Sequence, residues 1–319
     1  IAQGVQSGTL FTEIRGVAGI VLHLLGDCLF DLAAQPMQAT NDKQPCDLPA
    51  SVVRRPGVTL MKFPYTVDGG TFEDDLFESV SAAAFYGAMR QGAEPPPAQV
   101  TLQTPTDTFT AAAEEGTPAV YLAFSSGLSG TYAAAADAAK ELAPKYLNQK
   151  IIVIDSRCAS AGEGLLVHYA LQNREQGMPI EENAKWVKEH IQHLIHWFTV
   201  DDLMFLYRGG RLSATSAVVG SLVRIKPIMH VDEEGHLAVV EKVTGRRRSI
   251  RILANRVKEH IVNPEGQMIF INHGARQDVA NAPADIIQAA IPSIPLVLVK
   301  YVGPVMRSHS RPGHPSTFF

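Results

Sequence analysis

Cysteine and positive charge are both scarce in this sequence. Its three cysteines, Cys28, Cys46 and Cys158, include no CxxC pair, which argues against a disulfide framework and against a structural zinc site. The formal net charge is −4 and the isoelectric point is about 6.3. No overall basic field therefore draws the chain to nucleic acid or to anionic lipid. These features predict a reducing, cytoplasmic setting and no nucleic-acid partner.

Long hydrophobic runs are missing as well. The most apolar window near the start, residues 17–25, is far shorter than the roughly 20 residues that a membrane helix needs, and it lacks the flanks of a signal peptide. We therefore predict no stable membrane insertion. Hydrophobic residues still make up 46% of the 319 residues, which is enough for a large core and for two domains.

Several enzyme signatures are also absent from the sequence. It has no G-x-x-x-x-G-K-[ST] phosphate loop, no G-x-G-x-x-G fingerprint, no H-E-x-x-H and no G-x-S-x-G elbow. His190, His193 and His196 are spaced i, i+3, i+6 in a segment, 181–198, that we predict as one long amphipathic helix. Since no carboxylate or cysteine has matching spacing, we predict a solvated or partner-facing histidine stripe and neither a metal site nor a cofactor.

Two strand–loop–helix units occupy the middle of the chain. In order, the pattern predicts strand 119–124, loop 125–131, helix 132–143, strand 150–154, loop 155–162 and helix 163–176. Such alternation is typical of a parallel sheet covered by helices. Beyond residue 177 the pattern changes, and residues 227–231 and 237–243 predict an antiparallel hairpin. We therefore predict an α/β protein with a parallel, helix-flanked domain (1–176) and a smaller mixed α/β domain (177–319).

The first of the two loops, Ser125–Thr131, combines glycines with small hydroxyl residues directly before a helix. Free backbone N–H groups and the positive end of a helix dipole favour an anionic head group there, and hydroxyls add donors without adding charge. The alternative is structural: Ser129 or Thr131 caps the helix, and the glycines only turn the chain.

Basic residues cluster later in the chain. Arg246, Arg247, Arg248 and Arg251 stand at the start of a predicted helix, where cations are electrostatically unfavourable. This conflict leaves two readings open, a solvated helix start or a contact with an anionic partner. His309, in a loop after the last predicted strand, either donates to an anionic ligand or is a plain surface histidine.

Taken together, these segments resemble the DegV family of bacterial fatty-acid-binding proteins. The matching stretches are Ser125–Tyr132 (SSxLSGTY), Ile154–Ser160, Asp202–Ser213 with Ile225–Ile228 (DDLxxLxxGGRI…IKPI), Glu241–Arg246, and Gly303–Val305 followed by His309, Pro312 and Gly313 (GPVIGTHTGPG). Upstream of Pro105 the fit is looser. The resemblance implies two domains with one acyl chain between them, in a carrier without its own catalytic activity.

The resemblance also implies a ligand site and a partner. A threonine, a serine of the first loop and the closing histidine would hold the carboxylate of a long-chain fatty acid. In this sequence they are Thr101, Ser126 and His309, with Ser125 as the neighbouring candidate and Ser129 and Gly130 in the same loop. A separate fatty acid kinase would phosphorylate the bound acid for phospholipid synthesis, and the kinase-facing residues would be Arg211 and Arg246.

Two other functions stay open at this point. One is an acyl- or phosphoryl-transfer enzyme with Ser126 as nucleophile and His309 as base. The other is a DNA-bound regulator that uses Arg246–Arg248, which the negative net charge disfavours.

Overall fold

A computed structural model of the chain describes residues 19–22, 56–67, 69–75, 77, 79–92, 102–201, 203–213, 225–274, 277–304 and 315–318. Its strands are β1 (Gly19–Leu22), β2 (Val58–Leu60), β3 (Pro64–Val67), β4 (Gly70–Glu73), β5 (Ala119–Ala123), β6 (Ile151–Asp155), β7 (His196–Phe198), β8 (Ile225–Val231), β9 (Leu237–Thr244), β10 (Met268–His273), β11 (Leu296–Tyr301) and β12 (Pro315–Phe318). Its α-helices are α1 (Ala82–Arg90), α2 (Gln103–Glu114), α3 (Thr131–Leu142), α4 (Ala161–Glu175), α5 (Ile180–His190), α6 (Met204–Arg208), α7 (Arg246–His260) and α8 (Gln277–Ala290).

The N-terminal strands form a parallel sheet in the order β2-β1-β5-β6. Strand β5 is buried along its whole length, because apolar residues follow one another there without polar alternation. Tyr121 packs with Phe109 of α2 and Ala135 of α3 on one face. Val120 and Leu122 pack on the other face. The predicted α/β class with a helix-covered parallel sheet is confirmed.

The C-terminal strands form a mixed sheet in the order β11-β10-β12-β7-β8-β9. Strands β10 and β11 are parallel, and the remaining neighbours are antiparallel. The predicted hairpin over 227–243 is confirmed as β8 and β9. Strand β12, which the sequence analysis did not predict, inserts between β10 and β7 and brings the end of the chain into the middle of this sheet.

Helix α4 lies between the two sheets. Leu165 and Leu166 share one apolar cluster with Leu122 of β5 and Phe270 of β10, so the helix is covered on both sides. Its first turn comes close to β7 because residue 162 is glycine: a Cβ at Gly162 would collide with the His196 imidazole. The division into domains 1–176 and 177–319 stays a prediction.

The long helix predicted over residues 181–198 is wrong. Helix α5 ends at His190, a short 3-10 turn follows, and His196–Phe198 form β7. Strand pairing overrides helix periodicity here, because Trp197 and Phe198 pair with β8 on one side and β12 on the other. The predicted histidine stripe is wrong for the same reason, since His196 is buried in a sheet while His190 stacks on Trp186 with ring centroids 3.9 Å apart.

The sequence also predicts the positions of several shorter elements. The sequence pattern predicts one strand over residues 59–67 and a turn at residues 68–70. The structure has two strands in place of the first, β2 and β3, and β3 pairs with β4 as an antiparallel hairpin. The sequence also predicts a helix over 81–90 that Ser81 caps, and Ser81 does cap α1, accepting a hydrogen bond from the Ala84 N–H at 3.2 Å. The sequence further predicts a helix over residues 214–224, which lie outside the described residues. Among those that are described, no helix has the length and apolar character to span a bilayer.

Candidate ligand-binding site

Two loops meet at the carboxyl edge of the parallel sheet. The first, Ser125–Gly130, follows β5, and the second, Ser156–Ser160, follows β6, its neighbour in the sheet. Backbone hydrogen bonds join the loops: the Ser125 N–H donates to Cys158 O and the Ser156 N–H donates to Ala123 O, both at 3.0 Å. Helices α3 and α4 begin at the same edge. In open α/β sheets, ligands bind at this edge.

Ser125 connects the first loop to the mixed sheet. Its side chain is buried, and its hydroxyl donates to Gly235 O at 2.8 Å. Gly235 lies in the turn between β8 and β9 with a φ of +84°, and a Cβ there would collide with Ser125 Oγ. The Ser125 proton is therefore used within the protein, and this residue does not present a donor to a ligand in the described conformation.

Ser126 is exposed and binds a carboxylate of the protein itself. Its hydroxyl donates to Asp155 Oδ2 at 2.6 Å, and its backbone N–H donates to Asp155 Oδ1 at 3.0 Å. The Arg157 N–H also donates to Asp155 Oδ1, at 3.2 Å. Sequence analysis placed Asp155 in the second loop without giving it a role, although a carboxylate at a strand end beside a serine-rich loop was a usable signal.

The start of α3 completes the first loop. Ser129 Oγ lies 2.8 Å from Thr131 Oγ1 and accepts a hydrogen bond from the Thr131 N–H at 3.3 Å. Ser129 thus satisfies the N–H of the first residue of α3, although the N-cap residue itself is Gly130. Gly130, the N-cap residue, is exposed and provides no side-chain cap. The positive end of the α3 dipole therefore faces the same surface as Ser126.

The second loop has an unusual backbone. Arg157 has a φ of 50° and Ser160 a φ of 53°, in the region that favours glycine. Asn272 of β10 donates a buried hydrogen bond to Ser160 Oγ at 2.9 Å. Non-glycine residues in such conformations cost about 1–3 kcal/mol each and persist where the surroundings hold them, often at functional sites. Asn272, which sequence analysis missed, provides that restraint from the other sheet.

The two predicted partner-facing arginines lie in different surroundings. Arg211 Nε donates to Leu128 O at 2.9 Å, so Arg211 rests against the first loop, and partial burial lowers its pKa. Arg246 donates to Thr199 Oγ1 at 3.2 Å and forms an ion pair with Asp201. Lys226 Nζ contacts the same Asp201 oxygen at 2.7 Å. The structure thus brings Arg211, Ser125, Ser126, Ser129 and Gly130 together, and it places Arg246 in a cluster around Asp201.

Thr101 and His309 lie outside the described residues. One described range begins at Leu102, just before α2, and another ends at Pro304, three residues after β11, with the next beginning at Pro315 in β12. Tyr301, the last residue of β11, contacts the His273 ring at a centroid distance of 4.4 Å. The next residue, Val302, accepts a hydrogen bond from the Tyr86 hydroxyl at 2.6 Å. The hydrogen bond from Tyr86 of α1 thus holds the residue that directly follows β11.

Two further groups at this edge are buried. Glu163, in the first turn of α4, is fully buried, and its pKa is raised well above the ordinary value by burial and by the charge of Asp155. His196 lies against the same turn, and burial together with nearby His230 lowers its pKa to about 4. A cavity of about 380 Å³, lined by His196, His230 and Arg157 among others, separates the second loop from β8. In the described part of the chain, no three His, Cys, Asp or Glu residues could hold a metal ion together.

Comparison with known proteins identifies the family of this chain. Residues 45–319 match the sequence profile of the DegV family, described as uncharacterised proteins. The chain belongs to the DegV family. A DegV domain-containing protein from Clostridium perfringens, CPE0026, is 37% identical over 273 residues, which cover 86% of this chain and 94% of the relative.

Solved structures of other DegV proteins share the fold. The fatty acid binding DegV family protein SAG1342 from Streptococcus agalactiae has a TM-score of 0.78 at 24% identity, covering 95% of this chain and 98% of the other. A DegV family protein from Ruminococcus gnavus with vaccenic acid has a TM-score of 0.77 at 18% identity, covering 95% and 99%. The match spans nearly the whole length of each chain, so the mixed α/β architecture is that of the DegV fold.

Proposed function

We propose that this protein binds one long-chain fatty acid and holds its carboxylate at the first loop and the start of α3. The observation that carries the proposal is the contact between Ser126 and Asp155, in which a hydroxyl and a backbone N–H bind one carboxylate together. A loop with these donors suits the carboxylate of a ligand equally well. DegV proteins of the same fold are named for fatty acid binding, which supports this ligand class.

The ligand carboxylate would compete with Asp155 for Ser126. A serine hydroxyl has a single proton, so Ser126 must turn away from Asp155 to donate to the fatty acid. In the proposal, Thr101 and His309 supply the other donors and the dipole of α3 favours the negative charge. The acyl tail supplies most of the affinity, at about 0.8 kcal/mol for each buried CH₂ group. Neutral donors hold the head group without neutralising it, so its oxygen stays available as a nucleophile.

The second part of the proposal is a kinase partner in the cytoplasm. Ser126 and Gly130 are exposed, so an enzyme can reach a carboxylate that is held there. A separate fatty acid kinase would let a carboxylate oxygen attack the γ-phosphorus of ATP, forming the acyl phosphate and releasing ADP. Arg211 lies beside the loop, and Arg246 lies near the exposed Arg247 and Arg248. Both arginines would face the negatively charged phosphate groups of that reaction. The protein itself acts as a non-catalytic carrier for phospholipid metabolism.

Ligand extraction and binding test the first part. Native mass spectrometry of the purified protein should find a bound fatty acid, and the delipidated protein should bind a long-chain acid again. Ser126→Ala should weaken binding about tenfold, the loss of one hydrogen bond to a charged group. Thr106→Ala, on the exposed side of α2, is the matched control and should leave affinity unchanged. A delipidated, folded protein that takes up no acid would contradict the proposal.

Reconstitution with a bacterial fatty acid kinase and ATP tests the second part. Hydroxylamine trapping should detect acyl phosphate only when both proteins are present. The alternative function, an acyl-transfer enzyme, gains support from Ser126 Oγ lying 2.6 Å from a carboxylate, which is the reach of a nucleophile to its base. It predicts turnover of an acyl ester by this protein alone and an acyl group on Ser126. Turnover without the kinase that is lost in Ser126→Ala would replace the carrier proposal.

A further inference from the structure

A cavity of about 260 Å³ lies between α4, α5 and the segment that leads into β10. Leu165 and Leu166, which are both buried, line it together with the rings of Tyr169, Trp186 and His190. None of its lining residues belongs to the first or the second loop. The cavity is therefore separate from the candidate site at Ser126 and calls for an explanation of its own.

The aromatic walls of this cavity hold one another in place. The His190 imidazole stacks on the Trp186 indole with ring centroids 3.9 Å apart and an angle of 14° between the planes. The Tyr169 ring lies on the other helix, with its centroid 6.2 Å from that of Trp186. Trp186 and Tyr169 also pack against the apolar cluster that contains Leu165 and Leu166. Apolar and aromatic walls with a few placed polar groups are typical of small-molecule sites.

His190 supplies this cavity with a hydrogen-bond acceptor. Its Nδ1 atom lies 2.8 Å from Trp186 O, and because a carbonyl oxygen can only accept, Nδ1 carries the proton of the neutral imidazole. The lone pair is then on Nε2, at the opposite edge of the ring, and Nε2 has no hydrogen-bond partner among the residues that the structure describes. Since the stack and the Nδ1 hydrogen bond together fix the ring, this acceptor is already oriented before a ligand binds.

Volume and chemistry together indicate which ligand fits. The cavity is slightly smaller than the roughly 300 Å³ at which pockets for drug-sized ligands begin, so its occupant has one or two rings. A flat aromatic ring gains stacking and edge contacts with Trp186 and Tyr169. An O–H or N–H group on that ring can donate to His190 Nε2. A carboxylate and an alkyl chain both lack such a donor, so a fatty acid does not match this cavity.

We propose that this cavity binds a small aromatic molecule that carries an O–H or N–H donor, such as a phenol, a naphthol or an indole. Trp186 and Tyr169 provide the apolar contact surface, and His190 Nε2 accepts the hydrogen bond that selects for the donor. The inference is independent of the proposed fatty acid binding, because the two sites share no residue named for either ligand.

Calorimetric titration of the delipidated protein with 2-naphthol and 2-methoxynaphthalene tests this assignment. The two probes share one ring system, and only 2-naphthol has a donor. Both should bind, and 2-naphthol should bind about three- to tenfold more tightly, the value of one hydrogen bond. A buffer of about pH 8 keeps imidazoles neutral during the titration.

Two variants separate the hydrogen bond from the ring contacts. His190→Phe keeps a ring on Trp186 and removes the acceptor, so it should bind the two probes equally and 2-methoxynaphthalene as tightly as before. His236→Phe, at an exposed histidine between β8 and β9, is the control and should keep the preference for 2-naphthol. Binding of neither probe, equal binding of both by the unmodified protein, or a preference that survives in His190→Phe would overturn the inference.

A spectroscopic measurement covers the case in which His190→Phe does not fold. The chain has two tryptophans, and Trp186 lines this cavity while Trp197 does not. In a ¹H–¹⁵N spectrum of the unmodified protein, 2-naphthol should shift the Trp186 indole signal and leave that of Trp197 in place. An unmoved Trp186 signal would contradict the inference.

Saturation with stearic acid distinguishes this site from the proposed fatty acid site. The affinity for 2-naphthol should stay the same when the acid is bound. Displacement of 2-naphthol by stearic acid would place the probe in the acyl-chain site and would overturn the inference while leaving fatty acid binding intact. Failure of stearic acid to bind at all would instead overturn the proposed function and leave the aromatic site standing.

Discussion

The Ser126 hydroxyl lies 2.6 Å from Asp155 Oδ2 and donates to it, so the residue assigned to the ligand is already bound to a carboxylate of the protein. Both Ser126 donors, the hydroxyl and the N–H, converge on that one side chain. Under the proposed function, this pair would have to open when a ligand carboxylate binds to Ser126. In that proposal, Asp155 would influence the affinity of the site as well as its geometry.

Replacing Asp155 by asparagine should therefore strengthen fatty acid binding. Asparagine removes a negative charge close to the ligand head group and releases the Ser126 hydroxyl, while its Oδ1 can still accept the backbone N–H bonds. We expect a three- to tenfold tighter Kd, roughly 1 kcal/mol, in a titration of delipidated protein with a fluorescent fatty acid. Asp137→Asn, on the exposed face of α3, should have no effect. Weaker binding in Asp155→Asn would mean that ordering the loop matters more than freeing Ser126.

The contact between the first loop and the β8–β9 turn should be sensitive to any side chain at residue 235. Gly235→Ala places a Cβ against Ser125 Oγ and puts alanine at a φ of +84°. We expect the free energy of unfolding to fall by about 2 kcal/mol or more, from backbone strain and the lost Ser125 hydrogen bond. Urea denaturation measures it. Gly266→Ala is the control, since a Cβ there meets no atom within 4 Å.

The sequence was most informative where the signal was local. The apolar run of β5, the alanine-rich α3 and the cap at Ser81 depend on residues near in the chain, so their positions followed from pattern alone. The chain end at β12 and the strand at His196–Phe198 are defined by pairing with residues far away in sequence. Periodicity therefore assigned residues 196–198 to a helix.

The candidate site also has one part that the sequence predicted and one part that it did not. The loop from Ser125 to Gly130 was predictable, because glycine and serine between a buried strand and a helix have few structural alternatives. The residues that contact the two loops could not be predicted. They are Gly235, Asn272 and Arg211, which reach the loops from the mixed sheet and its neighbouring segments. Which serine lies at the surface depends on those partners, since the buried Ser125 donates its hydrogen bond to Gly235 O while Ser126 stays exposed.

Asn272 should be needed to hold the second loop. Asn272→Ala removes the side-chain amide that donates to Ser160 Oγ, next to a strained backbone. We expect a loss of about 1–3 kcal/mol in the free energy of unfolding, together with weaker fatty acid binding because Asp155 belongs to the adjoining segment. Asn255→Ala, at an exposed position of α7, is the control and should change neither the free energy of unfolding nor fatty acid binding. Unchanged stability in Asn272→Ala would show that Ser160 keeps its conformation without this bond.

His196 should make the protein less stable as the pH falls below neutral. Its pKa in the folded protein is about 4, against an ordinary value of 6.5, because burial and His230 disfavour the charged imidazole. Between these values the unfolded chain binds a proton that the folded protein does not, so the stability that is complete above pH 6.5 is lost progressively toward pH 4. The full difference between these two pKa values corresponds to roughly 3 kcal/mol in the free energy of unfolding.

Urea unfolding at a series of pH values, compared between the unmodified protein and His196→Gln, isolates this contribution. The raised pKa of Glu163 acts in the opposite direction, because the unfolded chain releases that proton as the pH rises while the folded protein keeps it. Both proteins contain Glu163, so its effect cancels in the difference between them. The difference in the free energy of unfolding between the two proteins should be constant above pH 6.5. Below pH 6.5 it should shift in favour of His196→Gln. His236→Gln, at an exposed histidine, should follow the unmodified protein, and a difference independent of pH would contradict the assignment to His196.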